Sequence, residues 1–145
     1  MKKVTSLILA IMLVFSFTFI IACNTDTSHN STTPSSQSSI WNSATYQENT
    51  ELGNGTKVIS VEIKAEDKSV TLTVKTDCET LGEALKEHSL IQGENGLYTV
   101  VNGMTADWNV DKTYWALTEN GVMCMEGADT LEISDGGHYE WTKTK

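Results

Sequence analysis

Two neighbouring segments alternate apolar and polar residues with the period of a β-strand. Residues 57–64 read "KVISVEIK", with Ile59, Val61 and Ile63 on one face. After the polar turn "AEDK", residues 69–75 repeat the pattern in "SVTLTVK". Because successive side chains of a strand point to opposite faces, the two segments predict a β-hairpin with one apolar face.

The next segment has the period of a helix. Residues 80–90 read "TLGEALKEHSL" and place apolar or partly apolar side chains at i, i+3, i+4 and i+7, namely Leu81, Ala84, Leu85 and His88. Thr80 and Glu83 have the spacing of a capping box, which marks a helix start. The polar "GENG", residues 93–96, is expected to end the helical region.

The remaining pattern predicts further strands. "LYTVVNG" reads as a third strand and turn, "TADWNVDKT" as the longest loop, and "YWALTENGVMCM" as a hairpin turning at Asn120-Gly121, while "TLEIS" and "HYEWTKT" read as a final pair. Residues 40–56 could add an edge strand. The predicted fold is α+β and β-grasp-like, with a mixed sheet packed on one helix.

The N-terminus resembles a bacterial lipoprotein signal. Lys2 and Lys3 precede an apolar run that ends in "IIAC" at Cys23. This resemblance implies cleavage after residue 22, lipidation of Cys23 and an extracytoplasmic, membrane-anchored protein; an uncleaved signal anchor is the alternative. Residues 23–39 are polar and predict a disordered tether. Residues 40–145 have the length of one small domain.

Charge excludes one class of partner. After removal of residues 1–22 the chain has 8 basic and 19 acidic residues, a formal charge of −11, and it has no arginine. Nucleic-acid binding depends on cationic contacts to phosphate, so we expect no nucleic-acid partner. The sequence has none of the common catalytic motifs, such as a P-loop, a nucleophile elbow or H-E-x-x-H, and we expect no enzymatic activity.

Five short motifs occur in an order that resembles a known family: "TLGEAL", "VNG", "YWALTENG", "GAD" and "DGGHYEW". They are similar to the transcobalamin C-terminal-like (DUF4430-type) domains of bacterial surface proteins. The resemblance implies a β-grasp-like domain that binds a small soluble ligand such as cobalamin or another corrinoid. Residues 40–145 are not expected to form the α-helical barrel that completes the site in the vitamin carriers.

The resemblance also implies ligand-binding positions. It places Asn102 and Gly103 at a ligand-facing rim, Tyr114 and Trp115 on the strand beside it, and Asn120 and Gly121 at the next turn. Trp108, in the intervening loop, is a further candidate because aromatic surface suits a flat, apolar ligand. The alternative is that Trp115 is a core residue and the turns are only turns.

Cys78 and Cys124 remain once Cys23 is lipidated, and they could form a disulfide outside the cytoplasm. Cys124 also lies between Met123 and Met125, whose sulfurs suit a soft metal. Continued strand alternation would turn both methionines away from Cys124, which makes that site geometrically poor. An unpaired Cys124 would be a small buried residue.

A second metal hypothesis concerns an acidic loop. Asp107, Asn109 and Asp111 match the first ligands of a calcium loop, but Lys112 replaces the glycine and Thr118 the closing glutamate. The loop could hold a divalent cation or be a solvated turn. The competing functions are therefore small-ligand binding, metal binding, and interaction with another surface or transport protein.

Overall fold

The structure is a computed structural model that describes residues 39–145. The predicted signal peptide, Cys23 and the tether up to residue 38 lie outside the described residues. The described elements, in chain order, are a 3-10 helix at Ile40–Ser43, β1 (Thr50–Gly53), β2 (Lys57–Ala65), β3 (Lys68–Thr76), α1 (Leu81–Glu87), β4 (Ile91–Glu94), β5 (Leu97–Val101), β6 (Met104–Thr105), β7 (Tyr114–Glu119), β8 (Val122–Met123) and β9 (His138–Thr144).

Six strands form a mixed sheet in the order β1-β3-β2-β9-β7-β8. The predicted hairpin is present in this sheet: β2 and β3 pair antiparallel, and their alternating apolar residues are buried. β9 adds parallel to β2, and β7 pairs antiparallel with β9. β1 pairs parallel with β3 and is the edge strand expected within residues 40–56.

The helix packs its apolar stripe on the core. Thr80 accepts a hydrogen bond from the Glu83 N–H, and the Glu83 side chain accepts one from the Thr80 N–H, so the predicted capping box is present. Leu81, Ala84 and Leu85 are fully buried. A helix covering one face of a mixed sheet is the α+β, β-grasp-like arrangement that the pattern predicts.

Three strands form a second sheet, in the order β4-β5-β6, that the sequence analysis did not separate from the first. The expectation that "GENG" ends the helical region was wrong, because Ile91–Glu94 is strand β4. Asn95 and Gly96 form the turn to β5, with φ values of 54° and 77°. Positive φ at both central residues is the requirement of a type I′ hairpin turn.

The segment "TLEIS" is not a strand of the final pair, which corrects a second expectation. Its backbone bonds to the start of the helix: Leu81 N–H donates to Leu131 O, and Ile133 N–H donates to Glu79 O, both at 2.9 Å. Only a single bridge, between Thr80 and Glu132, has ladder geometry. The apolar residues of this segment therefore close the core beside the helix rather than extending a sheet.

Within residues 39–145, none of the helices has the length and apolar character needed to cross a membrane.

Candidate functional site

An aromatic cleft of about 280 Å³ lies where β5 of the small sheet meets β7 of the large one. Small-molecule sites usually have volumes of about 300 Å³ or more, so this cleft is at the lower end of that range. Such sites are mostly apolar with a few polar groups. The cleft is lined by Gly96, Leu97, Tyr98, Thr99, Ala106, Trp108, Thr113, Tyr114, Trp115, Leu117, Glu126, Gly127, Ala128 and Trp141. Of these described residues, Glu126 alone carries a charge.

The aromatic residues of the cleft form a buried floor and an exposed rim. Tyr98, Trp115 and Trp141 are buried, and the rings of Tyr98 and Trp141 meet edge to face with centroids 5.8 Å apart. Trp108 is 56% exposed and Tyr114 46% exposed, with their ring centroids 6.4 Å apart. Exposed aromatic rings in contact offer apolar surface that remains available to a ligand.

Two charged side chains, Asp129 and Lys86, orient Tyr98 in the floor of the cleft. Tyr98 Oη donates to Asp129 Oδ1, and Lys86 Nζ donates to the same oxygen at 2.6 Å. Burial, followed by the hydrogen bond to Asp129, raises the pKa of the Tyr98 hydroxyl. The hydrogen bond from Lys86, followed by that from Tyr98, lowers the pKa of Asp129. Tyr98 is therefore a neutral, oriented floor residue near pH 7.

The loop after β6 positions Trp108. Asp107 Oδ1 accepts from Asn109 N–H at 2.8 Å, and Asp111 N–H donates to Asp107 O at 2.9 Å. Lys112 takes a positive φ of 59° and places its ammonium 5.8 Å from the Trp108 ring centroid. These local bonds fix the turn that presents the indole beside the cleft.

The predicted cation ligands mainly make contacts within the protein. Asp111 Oδ1 accepts from Thr113 Oγ1 at 2.5 Å and from Thr113 N–H at 3.1 Å, while Asp111 Oδ2 pairs with Lys143 at 2.9 Å. The Thr113 hydroxyl, followed by Lys143, holds the pKa of Asp111 far below its usual value. Across residues 39–145 there is no group of three or more His, Cys, Asp or Glu side chains arranged to hold a metal.

Asn102 does not lie at a ligand-facing rim, which corrects its predicted role. Its side chain is fully buried, where Oδ1 accepts from Tyr46 N–H and Nδ2 donates to Tyr46 O, each at 2.8 Å. Gly103 completes the turn at φ 76°, with Ser43 O only 2.5 Å from where a Cβ would stand. The turn therefore joins the segment after the 3-10 helix to the small sheet.

Asn120 and Gly121 form the predicted hairpin turn, with φ values of 51° and 78°, and they do not line the cleft. Gly121 N–H donates to Glu140 Oε2 at 3.1 Å, and Thr118 Oγ1 donates to the same oxygen. Burial acts to raise the pKa of Glu140, but these hydrogen bonds together with the charges of His138 and Lys64 outweigh it, and the pKa is lowered. The turn is thus anchored to β9 by a buried carboxylate.

The two cysteines of the domain are free thiols, so the disulfide that the sequence allowed is not formed. Cys78 follows β3 and Cys124 follows β8, with β2, β9 and β7 between these strands in the sheet. At about 4.8 Å per strand, that separation is far beyond the roughly 7 Å Cα limit of a disulfide. Burial, followed by the charges of Glu119 and Glu140, raises the pKa of the Cys124 thiol.

The cleft therefore unites three predicted residues, Trp108, Tyr114 and Trp115, with two that the sequence reasoning did not select, Tyr98 and Trp141. Both additions are inward-facing strand residues, and alternation gives them the same signal as any core residue. Trp141 belongs to the terminal "DGGHYEW" motif, which was the one available indication.

Comparison with known proteins identifies the domain. A solved structure from Ruminococcus gnavus, described as a "putative metal binding protein", is 30% identical with a TM-score of 0.58, over 61% of this chain and 97% of that one. Residues 79–145 match the model of the family described as "Domain of unknown function (DUF4430)". The chain belongs to the DUF4430 family. The predicted family resemblance is confirmed to that extent.

A second solved structure similar to this DUF4430 protein is haptocorrin in complex with Cbi. It is 21% identical with a TM-score of 0.48, and the match covers 61% of this chain and 25% of the haptocorrin chain. No curated protein matches the chain significantly.

Proposed function

We propose that this DUF4430 domain is a non-enzymatic binding module that holds a flat, largely apolar small molecule in the aromatic cleft. The observation that carries the proposal is the exposed ring pair of Trp108 and Tyr114 above a buried aromatic floor. Flat ring systems gain affinity by packing against aromatic faces. A corrinoid is the ligand class that the family resemblance suggests.

The cleft also offers a few directing groups, as a specific site requires. The indole N–H groups of Trp115 and Trp141 are buried without an acceptor in the described part of the chain. Both nitrogens are inaccessible to solvent, so a ligand oxygen could bond to either only after the floor side chains shift. Such a bond would recover the cost of an unsatisfied buried donor, which is about 1–3 kcal/mol. Glu126 at the cleft adds an acceptor for a ligand amide or hydroxyl.

The size of the cleft limits what it can enclose. At about 280 Å³ it can cover an edge or part of one face of a corrin, not the whole ligand. The protein would therefore be a receptor that contacts only one side of its ligand. The resemblance of the N-terminal sequence, ending at Cys23, to a lipoprotein signal supports the further proposal that the receptor is lipid-anchored outside the cytoplasm, where it captures a nutrient for a transport protein.

Calorimetric titration of the full chain in detergent with a corrinoid tests the cleft. Trp108→Ala and Tyr114→Ala are suitable variants because both side chains are exposed and their loss leaves no core cavity. Each is expected to weaken binding by about tenfold, or about 1.4 kcal/mol. Val58→Ala on β2, also partly exposed but outside the cleft, is the matched control. Equal affinity of all four proteins would refute the assignment.

A divalent cation at the 107–111 loop is a second candidate, supported by the description of the Ruminococcus gnavus protein. Binding there would require Asp111 to exchange Lys143 and Thr113 for the ion. Equilibrium dialysis with elemental analysis should then find one metal per chain, and Asp107→Asn with Asp111→Asn should remove it. Dialysed wild-type protein without stoichiometric metal would end this candidate.

A further inference from the structure

Three consecutive sulfur-containing residues meet at one pocket near the end of the large sheet. β8 ends at Met123, and the chain bends at residues 125 and 126. Met123, Cys124 and Met125 all line a pocket of about 260 Å³ beside this bend. Because the strand ends at Met123, strand alternation does not extend to Cys124 and Met125, and the three side chains can lie at the same pocket.

The three sulfurs differ in how firmly they are held. Cys124 is a half-buried free thiol, and its N–H donates to Leu117 O at 3.1 Å, which fixes it beside β7. Met123 is 55% exposed and Met125 96% exposed. A methionine side chain has three rotatable bonds and a polarisable thioether. The two thioethers are therefore free to turn toward the fixed thiol.

The charges around this pocket favour a cation. Glu119 and Glu126 line it, and no lysine does among the described residues. Lys64 and Lys143, the lysines on the neighbouring part of the sheet, pair with Glu62 and Asp111 instead. A carboxylate rim with no lysine among its described lining residues lowers the cost of bringing a positive charge to this surface.

We propose that Met123, Cys124 and Met125 form a binding site for a soft monovalent metal ion, Cu(I) or its analogue Ag(I). Thiolate and thioether ligands select Cu(I) over hard cations. On binding, the Cys124 thiol loses its proton to solvent and one metal–thiolate bond forms, while the two thioethers donate electron pairs without losing any atom. The metal keeps its oxidation state, so the step needs no oxidant or reductant.

Competition for Cu(I) tests the site in the full chain. The protein, kept reduced with ascorbate in detergent, is titrated against the chromogenic Cu(I) chelator bathocuproine disulfonate, and Ag(I) calorimetry provides a redox-inert second measurement. Wild type is expected to hold one ion. Cys124→Ser and the double variant Met123→Leu with Met125→Leu are expected to lose at least about tenfold in affinity, the loss seen when even outer partners of a metal site are removed.

Cys78→Ser is the matched control, because Cys78 is the other half-buried free thiol of the domain and has no methionine at its pocket. It should bind as wild type does. Three results would overturn the proposal: no competition by wild type, wild-type affinity in the double leucine variant, or equal losses in Cys78→Ser and Cys124→Ser. The double leucine variant replaces exposed side chains, so an unchanged melting temperature confirms that its fold is retained.

Discussion

Asn102 offers a direct test of the difference between a scaffold residue and a ligand contact. Its side chain makes two hydrogen bonds to the backbone of Tyr46, and its own N–H donates to Leu90 O at 2.7 Å. Its C=O accepts from Thr45 N–H at 2.9 Å. These bonds join the turn at Asn102 to residues 45–46 and to Leu90. The residue is fully buried and has a φ of 52°.

Two substitutions separate the contributions of side chain and backbone. Asn102→Gly tolerates the positive φ but removes both side-chain hydrogen bonds and leaves the Tyr46 groups without them. At about 1–1.5 kcal/mol for each bond, we expect a loss of about 2–3 kcal/mol in the free energy of unfolding. Asn102→Ala loses the same bonds and, unlike the glycine variant, keeps a Cβ on a left-handed backbone, which costs about 1–2 kcal/mol, so it should be the less stable of the two variants.

Urea denaturation monitored by tryptophan fluorescence measures both losses, and ligand titration below the unfolding transition measures affinity per folded molecule. The account predicts reduced stability with unchanged affinity. A glycine variant with wild-type stability and weakened ligand binding would refute the reasoning, since Asn102 would then act at the ligand and not in the scaffold.

The remaining predictions also concern individual contacts. Gly103→Ala should destabilise more than Gly121→Ala, because both have positive φ but only Gly103 has a backbone atom, Ser43 O, within 4 Å of the added Cβ; equal urea midpoints would contradict this. Since the folded-state pKa of Asp129 is lowered, its stabilising effect is present above its unfolded value of about 3.9 and is lost as pH falls through the lower folded value. Asp129→Asn should therefore reduce the loss of stability on acidification below about pH 4 in acid-titrated urea melts, and an unchanged pH slope would argue against the lowered pKa. Thr80→Ala should cost about 1 kcal/mol of unfolding free energy through the lost capping box; a change within measurement error would mean that the cap contributes nothing.

Local signals predicted the parts of the fold that local interactions determine. The β2–β3 hairpin follows from alternation, the helix start from Thr80 and Glu83, and the β7–β8 turn from Asn120-Gly121. The Asn95-Gly96 turn carried the same signal and was read instead as a helix end. That Asn-Gly pair is therefore the local signal for the β4–β5 turn of the second sheet.

The errors arose where partners distant in sequence decide the outcome. The segment "TLEIS" has strand alternation, but its backbone groups bond to Glu79 and Leu81 at the helix start, a choice that no local pattern reveals. The same limit applies to the cleft. Trp108 and Tyr114 could be selected as aromatic residues, whereas Tyr98 and Trp141 become part of the site only because the two sheets meet there.

The most direct test of ligand binding in the cleft uses the indole N–H resonances of the protein's 4 tryptophans. Trp108, Trp115 and Trp141 line the cleft, whereas Trp41 lies outside it and donates its indole N–H to Ala65 O at 2.8 Å. In a heteronuclear NMR titration with a diamagnetic cobalt(III) corrinoid, the account predicts saturable shifts of the three cleft resonances and an unchanged Trp41 resonance. No saturable shift, or an equal shift of Trp41, would contradict it.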